Sequence, residues 1–144
     1  MAFLKLKNRV FDISKAYIQG EFKDGDLHCY IEIETVDKMI DEELWEPCLR
    51  HQGFIFKNVS TWPDLKNRVI SWKDSNDVSY KHPEIGLLYV FSHTETKNNS
   101  LEFSDVTNDT IEISWKGVAD VYWDEDFDTD VPFEVQTKLS IIVE

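Results

Sequence analysis

Basic residues are what the second half of this chain lacks. Residues 1–73 hold 11 Lys/Arg against 12 Asp/Glu, residues 74–144 hold 4 against 16, and no base lies between Lys116 and Lys138. Nucleic-acid binding is thereby disfavoured, because phosphate contacts need clustered Lys and Arg. Long apolar runs are also missing. No segment approaches the roughly 20 apolar residues of a membrane span, and Met1–Arg9 alternates charged with apolar residues instead of forming the apolar stretch of a signal peptide. A cytoplasmic setting is the expectation.

Cysteine is scarce, with Cys29 and Cys48 far apart and no CxxC spacing, so reduced and partly buried thiols are expected. In that setting the sequons at Asn58, Asn98 and Asn108 carry no meaning. The five glycines are isolated, which excludes a Gly-rich phosphate loop. His28, His51, His82 and His93 lie in four separate segments, without HExxH or other metal-ligand spacing, and no GxSxG elbow is present. Carboxylates are so abundant that pairing any two as acid and base carries no information. The chain is read as a non-enzyme that needs no cofactor or metal.

Aromatic residues are plentiful: five Trp, five Tyr and nine Phe in 144 residues. With 42% hydrophobic content they exclude global disorder and favour sheet over helix. The length suits one domain, residues 1–144.

The clearest element is a hairpin. Tyr17 to Phe22 and Leu27 to Glu34 flank Lys23-Asp24-Gly25-Asp26, whose Asp-Gly supplies positive φ angles. In the second arm Leu27, Cys29, Ile31 and Ile33 alternate with His28, Tyr30, Glu32 and Glu34, giving one buried and one wet face. Met39, Ile40 and Leu44 have helical spacing and Pro47 follows, so residues 36–46 are expected to form one short helix. Further strands are expected at Phe54-Ile-Phe56, Arg68 to Trp72, Gly86 to Thr96, Leu101 to Val106, Thr110 to Val121 and Phe133 to Val143. Turns are expected at Trp62-Pro63, Lys97-Asn-Asn-Ser100 and Thr107-Asn-Asp109. The fold class is therefore mainly β: a single antiparallel domain built as a curved sheet, sandwich or barrel, with the one helix.

The segment that invites a functional reading is Asp120-Val-Tyr-Trp-Asp-Glu-Asp-Phe-Asp-Thr-Asp130, with six carboxylates and three aromatics in eleven residues. The every-second-residue aspartates suggest a calcium loop. A loop starting at Asp124 has Thr129 and Val135 where an EF-hand needs Gly and Glu, and one starting at Asp126 has Val131 and Thr137. In an extended chain, Asp124, Asp126, Asp128 and Asp130 would line one face, with Trp123, Glu125, Phe127 and Thr129 on the other. Such a stripe suits a basic partner: Asp120 and Glu125 extend its field, and Tyr122, Trp123 and Phe127 supply anchors. A solvated acidic loop with its aromatics in the core is the plainer reading.

In size, charge and character the chain is similar to acidic immunity proteins that neutralise bacterial nuclease toxins, although no stretch of residues carries a family motif. The expected function is that of an acidic protein-binding module of this immunity or inhibitor type, with a basic partner such as a nuclease toxin. The alternative is a ligand-binding β-barrel or sandwich with Trp72, Tyr89, Phe91, Trp115 and Tyr122 around a pocket. Trp72 and Trp115 also fit simple core positions.

Overall fold

The computed structural model describes residues 2–123 and 126–142. Their elements are β1 (Phe3–Leu6), β2 (Arg9–Lys23), β3 (Asp26–Thr35), β4 (Lys38–Ile40), β5 (Glu43–Trp45), β6 (Cys48–Phe56), β7 (Val69–Trp72), β8 (Gly86–Tyr89), β9 (His93–Glu95), β10 (Lys97–Val106), β11 (Thr110–Trp123) and β12 (Asp126–Ile142), with a 3-10 turn at Trp62–Leu65. Ten strands share one sheet in the order β7-β10-β11-β12-β1-β2-β3-β6-β8-β9, and β4 and β5 form a separate ribbon. The sheet curls into a half-barrel, and the mainly β, antiparallel class expected from the sequence is what the chain forms.

Inward and outward residues alternate along most strands. Leu27, Cys29, Ile31 and Ile33 of β3 are buried, as are Val131, Phe133, Val135, Thr137 and Leu139 of β12. One unusual seam involves β12, which pairs with β1 over residues 133–136 and, beyond the end of β1, runs parallel to β2 with Ser140 opposite Tyr17.

Loop 73–85 connects β7 to β8 and supplies partners to a buried histidine. His51 of β6 is fully buried, and its ring lies on Phe54 with centroids 3.5 Å apart. Its Nδ1 accepts the Gly53 N–H at 3.2 Å, so Nε2 carries the proton and donates to Tyr80 Oη at 2.6 Å. Tyr80 donates in turn to the Glu84 carbonyl. His82 Nδ1 accepts the Ile55 N–H at 3.0 Å. Burial pushes His51 down to about 3, with His82 nearby adding to the effect, and burial lowers His82 too. Two histidines from separate segments thus sit with ring centroids 6.3 Å apart, fastening the loop to β6.

Several local expectations are corrected. Residues 36–46 form the β4–β5 ribbon instead of a helix: Met39 faces Leu44, Ile40 faces Glu43, and the turn residues Asp41 and Glu42 have φ of 50° and 67°. Two consecutive positive φ values make this a two-residue hairpin turn built without glycine. An isolated helix of that length is marginal in water, whereas the ribbon buries Trp45 against Phe11, ring centroids 6.2 Å apart. Gly86 to Thr96 is the β8–β9 hairpin and not one strand. Lys97-Asn-Asn-Ser100 is not a turn between strands but an irregular start to β10. There Asn98 has φ of 50°, and the pairing with β11 slips between Lys97 and Ser100. Gly117 lies opposite this slip, where any side chain would press on the Lys97 carbonyl 2.8 Å from its Cβ. The first residues also pair, forming β1 and the start of β2, a pairing not anticipated.

Candidate functional site

At one end of the half-barrel two turns, Lys7-Asn8 between β1 and β2 and Asp41-Glu42 between β4 and β5, meet the paired ends of β11 and β12, between which residues 124 and 125 lie outside the described ones. They enclose a groove of about 710 Å³. Trp45 and Trp123 form its floor, with ring centroids 5.2 Å apart and planes 28° from parallel. Phe91 packs edge-on against Trp45 at 5.6 Å. The guanidinium of Arg9 lies over both indoles, 4.5 Å from the Trp45 ring and 5.0 Å from that of Trp123.

The acidic run supplies the hairpin that walls this groove, but not as a single stripe of carboxylates. Ala119 pairs with Val131 and Val121 with Asp128, so Thr129 and Asp130 together oppose Asp120. This is a bulge, with Asp130 at φ of 50°. The extra residue reverses the alternation, and Asp128 joins Trp123 on the groove side. Asp128 accepts the Trp123 indole N–H at 2.6 Å and meets Lys7 Nζ at 3.6 Å. Asp130 and Asp120 turn instead to Lys97, at 2.9 and 3.4 Å, and Asp120 also accepts the backbone N–H of Asp130 at 3.0 Å. Hydrogen bonding to Asp130 raises the Lys97 pKa.

Three carboxylates of the run are thus used internally. Asp126 is exposed and makes no ion pair or hydrogen bond among the described residues. Beside it Tyr122 and Phe127 pair across the hairpin with centroids 4.6 Å apart, 44% and 48% exposed. Asp124 and Glu125, also singled out in the sequence, lie outside the described residues.

Lys7, Arg9, Asp41, Glu43 and Trp45 belong to this site without having been singled out. They come from segments far from the acidic run, and only strand pairing brings them there; no local pattern marks them. The aromatics considered for an internal pocket do not surround one cavity. Trp72 and Trp115 are core, Tyr89 packs on His93, Phe91 on Trp45, and Tyr122 on Phe127.

Both cysteines are free, and burial pushes both thiols upward, which works against a thiolate nucleophile. Among the described residues no three His, Cys, Asp or Glu side chains converge as metal ligands would, and no helix is long and apolar enough to cross a membrane. No protein-family model, curated protein or solved structure matches the chain.

Proposed function

We propose that this chain is an acidic protein-binding module of the immunity or inhibitor type, which acts in the cytoplasm by occupying a basic surface of its partner, a nuclease toxin being the fitting kind. It works by binding and not by catalysis. The observation that carries the reading is the exposed Tyr122–Phe127 pair on a strand ladder rich in carboxylates. Aromatic side chains that can be fully desolvated dominate binding energy, and surrounding charge of one sign accelerates encounter with a partner of the other. The net charge of −13 supplies that long-range field.

The test is capture of a basic protein from the source cell lysate at low and physiological salt. The wild-type chain is compared with Tyr122→Ala/Phe127→Ala and with Asp124→Asn/Asp126→Asn, each checked for folding by thermal melting. The reading expects the aromatic variant to lose capture at both salt concentrations, and the carboxylate variant to lose mainly its salt-sensitive part. Equal capture by all three chains, or none by the folded wild type, sinks it.

A further inference from the structure

We infer that the groove between the β4–β5 and β11–β12 hairpins receives a basic side chain, a guanidinium or ammonium group, and that Arg9 fills it in the free protein as an internal stand-in. This rests on the reading of a basic partner above and names the chemistry by which that partner is recognised.

The Arg9 guanidinium, 4.5 and 5.0 Å from the two ring centroids, shows that the stacked indoles present ring face to a cation, the contact by which aromatic cages hold ammonium groups. Carboxylates line the same groove. Asp41, Glu43 and Asp126 make no ion pair or hydrogen bond among the described residues, although a guanidinium lies within the groove they share. Arg9 is held by the rings instead, with no carboxylate or carbonyl among the described residues to tie it down.

Trp45, 4% exposed, has an indole N–H that finds no acceptor among the described residues. An unmet buried donor costs stability, so polar satisfaction does not account for the placing of this ring. Ring packing does: Trp45 stacks on Phe11 as well as on Trp123, and the Arg9 guanidinium lies 4.5 Å from its ring centroid.

Coulomb's law decides between a cation and an anion as the incoming group. Of the two bases in the groove, Lys7 is already paired with Asp128. Arg9 alone would have to attract an anion past three unpaired carboxylates on a chain of net charge −13. A cation meets the opposite balance. It also finds room, since the groove volume lies within the range of ordinary ligand pockets. Arg9 then swings out or shares the floor, and the carboxylates that it leaves unpaired take the entering group.

The experiment titrates the isotope-labelled full chain with N-acetyl-arginine amide, N-acetyl-lysine amide, neutral N-acetyl-glutamine amide, acetate and inorganic phosphate. The indole N–H resonances of Trp45 and Trp123 are followed, with those of Trp62, Trp72 and Trp115 as internal references. The two cationic probes are expected to shift the groove indoles saturably, and the neutral probe is not. Arg9→Gln should tighten binding of the arginine probe about fivefold or more, because it removes the competing cation from the ring faces. Lys5→Gln makes the same charge change at an exposed site outside the groove and should tighten it by less than about twofold. Asp126→Asn should weaken it.

Indoles that stay put with the cationic probes overturn the inference, as does an equal gain from Arg9→Gln and Lys5→Gln. Shifts with acetate or phosphate that vanish in Arg9→Gln would show an anion site instead. Arg9→Lys retains the cation and guards against a folding defect in Arg9→Gln; it should bind the probe at near wild-type strength. Because the probes are small, a silent groove beside intact capture of a basic protein defeats this inference alone. A responsive groove without capture defeats the functional reading alone.

Discussion

Trp123 and Asp128 are joined across the β11–β12 ladder by a 2.6 Å hydrogen bond from the indole nitrogen, and the same carboxylate oxygen meets Lys7 at 3.6 Å. Asp128 is therefore a brace for the groove floor. Asp128→Asn keeps an acceptor for the indole and should leave stability nearly unchanged. Asp128→Ala should cost about 1 kcal/mol and move the Trp123 indole resonance upfield. Urea unfolding and the indole spectrum check both, and equal behaviour of the two variants would remove the brace from the account.

Acid should loosen the packing around His51 before it reaches the carboxylates. In the unfolded chain His51 takes a proton near pH 6.5, which the folded protein refuses until about pH 3. Stability is full above pH 6.5 and falls as pH drops toward 3, at about 1.4 kcal/mol per pH unit for each proton so excluded. His82 adds to the slope in the same direction. Asp26, Asp64 and Asp77, whose pKa values are lowered by hydrogen bonds, come into play only below their ordinary range near 3.8. Urea midpoints between about pH 7 and pH 5 isolate the histidines. His51→Gln should be less stable at neutral pH and show a flatter slope, and a wild type with no slope in this interval would contradict the argument.

The β4–β5 turn carries a positive φ at Glu42 that a side chain adopts at a cost. Glu42→Gly should raise stability by about 0.5 to 1 kcal/mol, since glycine takes this backbone conformation freely. A helix over residues 36–46 would respond in the opposite sense, losing about 1 kcal/mol. Thermal melting of this one variant therefore separates ribbon from helix.

Asn99, 3% exposed, links two buried groups: its Oδ1 accepts the Trp115 indole N–H at 3.0 Å and its Nδ2 donates to the Thr96 carbonyl at 3.0 Å. Asn99→Ala strands both partners and should cost about 2 to 4 kcal/mol, more than a typical surface change by far. A loss below about 1 kcal/mol in urea unfolding would mean that water or a shifted backbone replaces the amide.

Strand alternation in β3, the Asp-Gly hairpin before it and the core places of Trp72 and Trp115 were legible because each depends on neighbours in sequence. The ribbon at 36–46 was not, because its turn lacks glycine and its stabilising contact, Trp45 on Phe11, reaches across β3 in sequence. The acidic run illustrates a third case. Its composition was plain, yet one bulge residue redistributes its carboxylates between Lys7 and Lys97, and nothing in a period-two pattern announces a bulge. The groove drew on Lys7, Arg9 and Trp45, which only long-range pairing delivers.

The seam at β1 has a consequence for how the molecule is made. Phe3–Leu6 has β2 on one side and residues 133–136 on the other, so this strand waits for one synthesised much later. Pairings of such separation are slow to form, because the intervening loop must close before any contact offsets its entropy. On the ribosome Leu4, Leu6 and Phe11, all fully buried at the end, remain without their final cover until β12 has emerged. Nascent chains of this protein should therefore be bound by holding chaperones until β12 has emerged, and collapse to the protease-resistant state in one step after that.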